Sequence, residues 1–181
     1  MVDSVTEFFK TANNLKWTER RGWVAKVKVK EPESVADHCY LMALMCMVIA
    51  DLKGLDSSKA VKMALLHDLA ESVVGDYMPE DISTRKKDEE ESKAIKTILH
   101  KLPSRLRSYY GRLWQEYNNR SSKEAILVHQ IDKLEMALQA SDYLRKGYNT
   151  ELLKQFFDSA SMHLKDKTLL RMLKSLKESK H

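Results

Sequence analysis

The amino-acid sequence predicts an all-α fold, and three observations carry that prediction. Five glycines and three prolines in 181 residues leave little of the chain for turns. Leu, Lys, Ala, Met and Glu, all good helix formers, are plentiful. Between the glycines, apolar residues recur at three- and four-residue spacings, the period of a helix with one buried face.

Taken in order, Ser4–Asn13 reads as a first helix. Lys16–Glu33 reads as an irregular connection, in which the alternation of VAKVKVK suggests a short extended piece. Ser34 is an N-cap with Asp37 as its capping-box partner, and the helix behind it should run to about Leu52. Asp56 caps the next helix, expected to reach Val73. GDYMPEDIS is a loop marked by Gly75 and Pro79. A charged helix should cover Lys87–Lys101, and Pro103 starts another that ends near Asn118. A long helix, Lys123–Lys146, is closed by Gly147, and two shorter helices complete the chain.

The length suits a single domain, 1–181, with one hydrophobic core. Hydrophobic residues at 43% and charged residues at 31% describe a globular composition rather than a disordered one. The net charge of +5 favours solubility and a mild attraction for anions, which suits a small phosphorylated ligand. Nothing gathers the basic residues on one face, so a long nucleic acid is not an expected partner. The Lys-rich segment from Lys165 to Lys180 reads as a solvated amphipathic helix.

No membrane association is expected either. The longest strongly apolar run, Tyr40–Ala50, is short of the roughly 20 residues a span needs. The N-terminal MVDSVTEFFKTANN lacks a basic stretch followed by an apolar one, so no signal peptide is expected. Cys39 and Cys46 lie two helical turns apart, too far for a disulfide within one helix. Free buried thiols are expected, in keeping with a cytoplasmic location.

The chemical signal is a set of polar residues on helix faces that should be greasy. His38 shares a stripe with Leu41, Met42 and Met45. Alone it would be an ordinary core histidine with a satisfied partner. His67 and Asp68 are adjacent inside KAVKMALLHDLAESVV. Burying an imidazole and a carboxylate there costs several kcal/mol, roughly, unless both find partners, and a shared divalent cation would partner both. Glu71, four residues after His67, projects from the same face; by itself it could be a solvated charge. Asp132 has Val128 and Met136 one turn away on either side. Its ordinary explanation is a helix-edge pair with Lys133 or Arg145. Taken together, two His and two Asp from three helices form a metal-ligand set. Imidazole with carboxylate suits Mn, Fe, Co, Ni or Zn and leaves room for Mg. Cys39 reads as core, so a Cys-rich structural zinc site is not expected.

The order H…HD…D, here His38, His67-Asp68 and Asp132, is the motif of the HD superfamily. The segments RRGWV, PESVADH, ALLHDLAESVVGDYMPEDI and QIDKLEMALQA resemble the HD-domain 5′-deoxynucleotidases, the small YfbR-like and HDDC2-like proteins. The resemblance runs from about Arg20 to Arg145, with the motif region at about 20–146. It implies an all-helical, dimeric enzyme that removes phosphate from deoxynucleoside 5′-monophosphates with one divalent metal ion. By position, it makes His38, His67, Asp68 and Asp132 the metal ligands, Glu71 the catalytic glutamate and Asp76 a second active-site carboxylate. It places a phosphate-binding arginine before the tryptophan. Arg20 fits best by its spacing to Gly22-Trp23, with Arg21 beside it. Trp23 would shape the sugar pocket.

The implied chemistry has Glu71 orienting or deprotonating the attacking water and Asp76, with a raised pKa, protonating the leaving 5′-oxygen. Arg20 would neutralise the phosphate. Two other readings compete. One is an HD phosphohydrolase acting on a triphosphate, a cyclic nucleotide or an alarmone. The other is a helical binding protein whose metal site is not catalytic.

Overall fold

The computed structural model describes residues 2–78, 80 and 82–178. In chain order its helices are α1 (Val2–Asn13), α2 (Arg21–Val27), α3 (Val35–Lys53), α4 (Ser57–Leu66), α5 (Glu71–Val74), α6 (Thr84–Leu99), α7 (Ser104–Asn118), α8 (Lys123–Arg145), α9 (Thr150–His163) and α10 (Lys167–Glu178). A 3-10 turn, Asn14–Lys16, follows α1. Among the described residues there is no strand, only an isolated bridge between Glu19 and Ser34. The all-α expectation therefore holds. Pro79 and Lys180 lie outside the described residues.

Helices α3 and α8 form the centre. α3 packs on α4 and α8, and α8 packs in turn on α9 and α10. Their buried residues belong to one cluster, with Met42, Ile131 and Leu134 almost fully enclosed. α3 is the one described helix long and apolar enough to cross a membrane by length and composition. Its buried face, from Val35 through Met42 and Cys46 to Ala50, is spent on the core of this bundle. Both cysteines on it are free and buried.

The start of α3 is fixed by side chain and main chain together. Ser34 Oγ accepts from the Asp37 amide at 3.1 Å, and Asp37 Oδ2 accepts from the Ser34 amide at 2.9 Å, a closed capping box. Across the bridge, the Arg20 amide donates to the Glu33 carbonyl and the Val35 amide to the Thr18 carbonyl. The segment before α2 is thereby stitched to the first turn of α3.

Two expectations are corrected. VAKVKVK is not extended; its first half is the end of α2. Trp23 and Val27, one helical turn apart, are both buried, so the helical period outcompetes the alternation. The helix stops where Lys28 turns left-handed at φ 64° and the Val29 amide reaches back to the Trp23 carbonyl. Likewise, the helix from Asp56 does not run unbroken to Val73. α4 ends at Leu66, and residues 67–70 form a turn before α5. His67 Nδ1 donates to the Ala64 carbonyl at 2.7 Å, taking the acceptor an unbroken helix would offer to the Asp68 amide. Tighter three-residue bonds follow, from the Glu71 amide to Asp68 and from the Ser72 amide to Leu69.

Candidate active site

The break after α4 turns His67 and Asp68 towards α3 and α8. His38, one turn into α3, is fully buried, and Asp132 sits mid-way along α8 at 9% exposure. The His38 Nε2 lies 3.5 Å from Asp132 Oδ1 and 3.9 Å from Asp68 Oδ2. The His67 Nε2 lies 3.0 Å from the same Asp68 oxygen. Donor atoms of His38, His67 and Asp132 all fall within 4.8 Å of one another. The four residues named from the motif are brought together.

The ring settings show what the cluster can hold. Both imidazoles point Nδ1 away from it, His67 to the Ala64 carbonyl and His38 to Glu135 Oε2 at 2.5 Å. A carbonyl only accepts, so the His67 Nδ1 carries hydrogen, and Nε2 is the nitrogen that would bind a cation on giving up its proton. Both Nε2 atoms are buried, face two carboxylates, and have no hydrogen bond of acceptable geometry. Two buried imidazole nitrogens and two carboxylates converging on one point fit a divalent cation. Burial, with the Arg20 charge beside it, pushes His38 down to about 3, so the imidazole is neutral as a ligand must be. Burial works against charge on His67 too, but the Asp68 carboxylate outweighs it and holds this histidine well above its usual range. Burial disfavours the charged form of Asp68 and Asp132, yet His67 and Arg20 beside the first, and Lys133 and His38 beside the second, hold both far below the usual carboxylate range.

Asp132 also makes the pair expected of an isolated helix-edge aspartate: its Oδ2 is 2.9 Å from Lys133 Nζ. Arg145 pairs instead with Asp142. The two oxygens of Asp132 thus face opposite ways, one to the cluster and one to the lysine. Cys39, read as core, is buried and also reaches the edge of the cluster, its sulfur grouped with His67 and Asp68.

A cavity of about 380 Å³ opens beside the cluster. Arg20 lies in its wall with Nη1 3.3 Å from Asp68 Oδ2. The neighbouring Arg21 contributes its backbone amide, which donates to Asp76 Oδ2 at 2.8 Å. Glu71, at the start of α5, is buried rather than solvated, and its Oε2 has no hydrogen-bond partner. Burial, then the charges of Asp68 and Asp76, hold its carboxyl well above the usual range. Burial raises Asp76 too. Trp23 forms a rigid wall, packed on Phe156 at 4.1 Å between ring centres, with its indole N–H donated to Glu33 Oε1 at 2.8 Å.

Three site residues received no role from the sequence, although Glu33 and Glu135 lie inside the segments PESVADH and QIDKLEMALQA. Glu33 and Glu135 are buried carboxyls behind His38 and Trp23. Glu135 was visible as an acid within the apolar run of α8, three residues after Asp132. Lys87 lines the cavity from α6, paired with Glu91 at 3.4 Å; inside a run of surface charges it carried no signal.

The profile of the HD domain matches residues 12–171, nearly the whole chain. The chain belongs to the HD-domain family. Human 5′-deoxynucleotidase HDDC2 is 40% identical over 174 residues, covering 96% of this chain and 84% of its own length. The 5′-deoxynucleotidase HDDC2 of Dictyostelium discoideum is 43% identical over 169 residues, with 87% and 88% covered. The crystal structure of a Pyrococcus horikoshii OT3 protein superposes with a TM-score of 0.80 at 32% identity, covering 99% of this chain and 100% of that one. HD-domain proteins are metal-dependent, which agrees with the unpartnered nitrogens found between α3, α4 and α8.

Proposed function

We propose that this HD-domain chain is a metal-dependent phosphohydrolase that removes the 5′-phosphate from deoxynucleoside monophosphates. One observation carries the reading: two buried imidazole nitrogens without partners face two carboxylates beside a cavity walled by Arg20. The curated relatives named 5′-deoxynucleotidase supply the substrate class. The cavity volume is of the size that encloses a small molecule.

His38, His67, Asp68 and Asp132 would hold one divalent ion, Mn, Co, Ni, Fe, Zn or Mg. When bound, that ion supplies a Lewis acid that acidifies water and polarises a phosphate oxygen. Arg20 turns its guanidinium to the phosphate, where a planar fork suits two oxygens better than an ammonium does. Glu71 orients the attacking water and accepts its proton as the new P–O bond forms. Asp76, held at the rim by the Arg21 amide, gives a proton to the 5′-oxygen as the old P–O bond breaks, so nucleoside and inorganic phosphate leave. Burial raises both carboxyls above the usual range, which makes Glu71 the stronger base once ionised and lets Asp76 more readily hold the proton it donates. Trp23, fixed by Phe156 and Glu33, forms the flat wall against which the sugar packs.

A homodimer is part of this proposal. Its support is a stripe on α3, Tyr40, Leu44, Met47, Val48 and Leu52, apolar side chains exposed along one helix face. Light scattering should give twice the chain mass, and Leu44→Lys should halve it. A cytoplasmic location is proposed with it, on the support of two buried free thiols.

The test is a phosphate-release screen of deoxy- and ribonucleoside 5′-monophosphates with Mn, Co, Ni and Mg in turn. Release from deoxynucleotides that requires added metal is the expected result. No release from any monophosphate with any of the four would sink the reading.

A further inference from the structure

The deepest carboxylate near the site is not among the four ligands. α8 places Asp132 and Glu135 three residues apart, so one reaches the cavity and the other enters the core. Glu135 has no exposed surface and meets His38 near the start of α3. Burying a carboxylate without a partner costs several kcal/mol, roughly. Here the partner is His38 Nδ1 at 2.5 Å, itself fully buried.

We infer that Glu135 is a positioning residue for the metal site, holding the His38 ring so that its Nε2 faces Asp132 and Asp68. The inference rests on the metal-site reading under the proposed function and adds a residue to it. An imidazole has two nitrogens, and the hydrogen bond made by one decides what the other presents. With Nδ1–H given to Glu135, the His38 Nε2 carries the lone pair and points at Asp132 Oδ1, 3.5 Å away. His67 obtains the same setting from the Ala64 carbonyl alone. A backbone carbonyl therefore suffices for orientation, and a carboxyl side chain on His38 adds something a carbonyl lacks: when ionised, it makes the imidazole a stronger electron donor.

Glu135 is itself tied to the wall of the cavity. Donor atoms of Glu33, His38 and Glu135 lie within 4.8 Å of one another. Glu33 accepts the Trp23 indole N–H at 2.8 Å, and its own amide donates to the Tyr143 hydroxyl at 2.9 Å. A continuous line of buried polar groups thus runs from Trp23 through Glu33 and Glu135 to His38.

The test is Co²⁺ binding to the metal-stripped full chain, measured by competition with a chromophoric chelator, for wild type, Glu135→Gln, Glu135→Leu and Glu33→Gln. The melting temperature of each metal-free sample is recorded alongside. Glu135→Gln keeps an acceptor for Nδ1–H and cannot ionise, so Co²⁺ affinity should fall about tenfold. Glu135→Leu loses both and should approach a hundredfold, the upper range for removing the partner of a metal-binding histidine. Glu33→Gln leaves the bond between Glu135 and His38 Nδ1 in place and should change affinity less than Glu135→Gln.

Wild-type affinity in both Glu135 variants overturns the inference, even if their melting temperatures drop, because that pattern describes a purely structural carboxylate. An equal loss in Glu33→Gln and Glu135→Gln also overturns it, since buried charge in general would then be setting affinity. Should Glu135→Leu fail to fold, the isosteric Glu135→Gln decides alone: tenfold supports, no change overturns. A wild-type chain that binds no Co²⁺ is a different result and removes the metal site itself.

Discussion

The two walls of the cavity are built differently. The inner wall comes from α8 and the turn after α4, with α3 directly behind them; α3 and α8, helices of 19 and 23 residues, form the centre of the core. Its polar groups are His38, His67 and Asp132, all nearly or fully buried. The outer wall comes from α2, seven residues long, from α5, four residues long, and from the segment Gly75–Met78. Arg20 is held there by ion pairs with Asp68 and Glu33, and Asp76 by the Arg21 backbone amide. A ligand set for a small cation must converge within a few ångströms, and only helices locked in a core hold side chains that tightly. A wall that meets a nucleotide has to meet different shapes, and short elements suffice. The inner wall should therefore fail all at once when altered, and the outer wall by degrees.

The largest effect tests the inner wall. His67→Ala should abolish bound metal, read by elemental analysis of the purified protein, and reduce phosphate release to background. A variant that keeps both full metal content and full turnover would show that the cluster is not the ligand set. Glu71→Gln comes next, at the seam between the walls. It should retain wild-type metal content while kcat falls by roughly 10²–10⁴, the usual contribution of a positioned acid or base. Normal turnover would reduce Glu71 to a buried structural charge.

Arg20→Lys tests the outer wall. The ammonium keeps the charge and loses the fork, so kcat/KM should fall by roughly 1.5–3 kcal/mol, about tenfold to hundredfold, with metal content unchanged. If Arg20→Lys lost metal as completely as His67→Ala, the two walls would be one unit, failing together. The Arg20–Asp68 pair at 3.3 Å is the contact through which that could happen.

The walls also differ in how far they could be read from the sequence. His38, His67 and Asp132 stand out because a polar residue on an apolar helix stripe is a local anomaly, visible without knowing what lies opposite. The α3 capping box was legible for the same reason: Ser34 and Asp37 are three residues apart. Lys87 gives no such anomaly, since it sits among charges and acquires meaning only when α6 is folded over the cavity. Glu33 likewise accepts from Trp23, ten residues away, and lies beside Glu135, about a hundred residues on, whose charge opposes its own. The helix break at His67 was hidden because its cause is a side chain competing for a backbone carbonyl, and nothing in the spacing of LLHDLAES announces that competition.

The smallest effect concerns the join between the walls. Ser34 does two things at once: its side chain caps α3, and its backbone neighbourhood bridges to Glu19 beside Arg20. Ser34→Ala removes the first and leaves the second, because the bonds between Arg20 and Glu33 and between Val35 and Thr18 are made by main-chain atoms. Losing the cap should cost about 1 kcal/mol of stability, roughly 2–4 °C in melting temperature for a chain of this size. His38 lies one turn into α3, where its setting is fixed by Glu135 and the core rather than by the cap. Co²⁺ affinity and kcat should therefore stay at wild-type values while the melting temperature drops. A loss of Co²⁺ affinity in Ser34→Ala would mean that the first turn of α3 reaches His38 through the helix itself, and that the inner wall owes its rigidity to its end as well as to its packing.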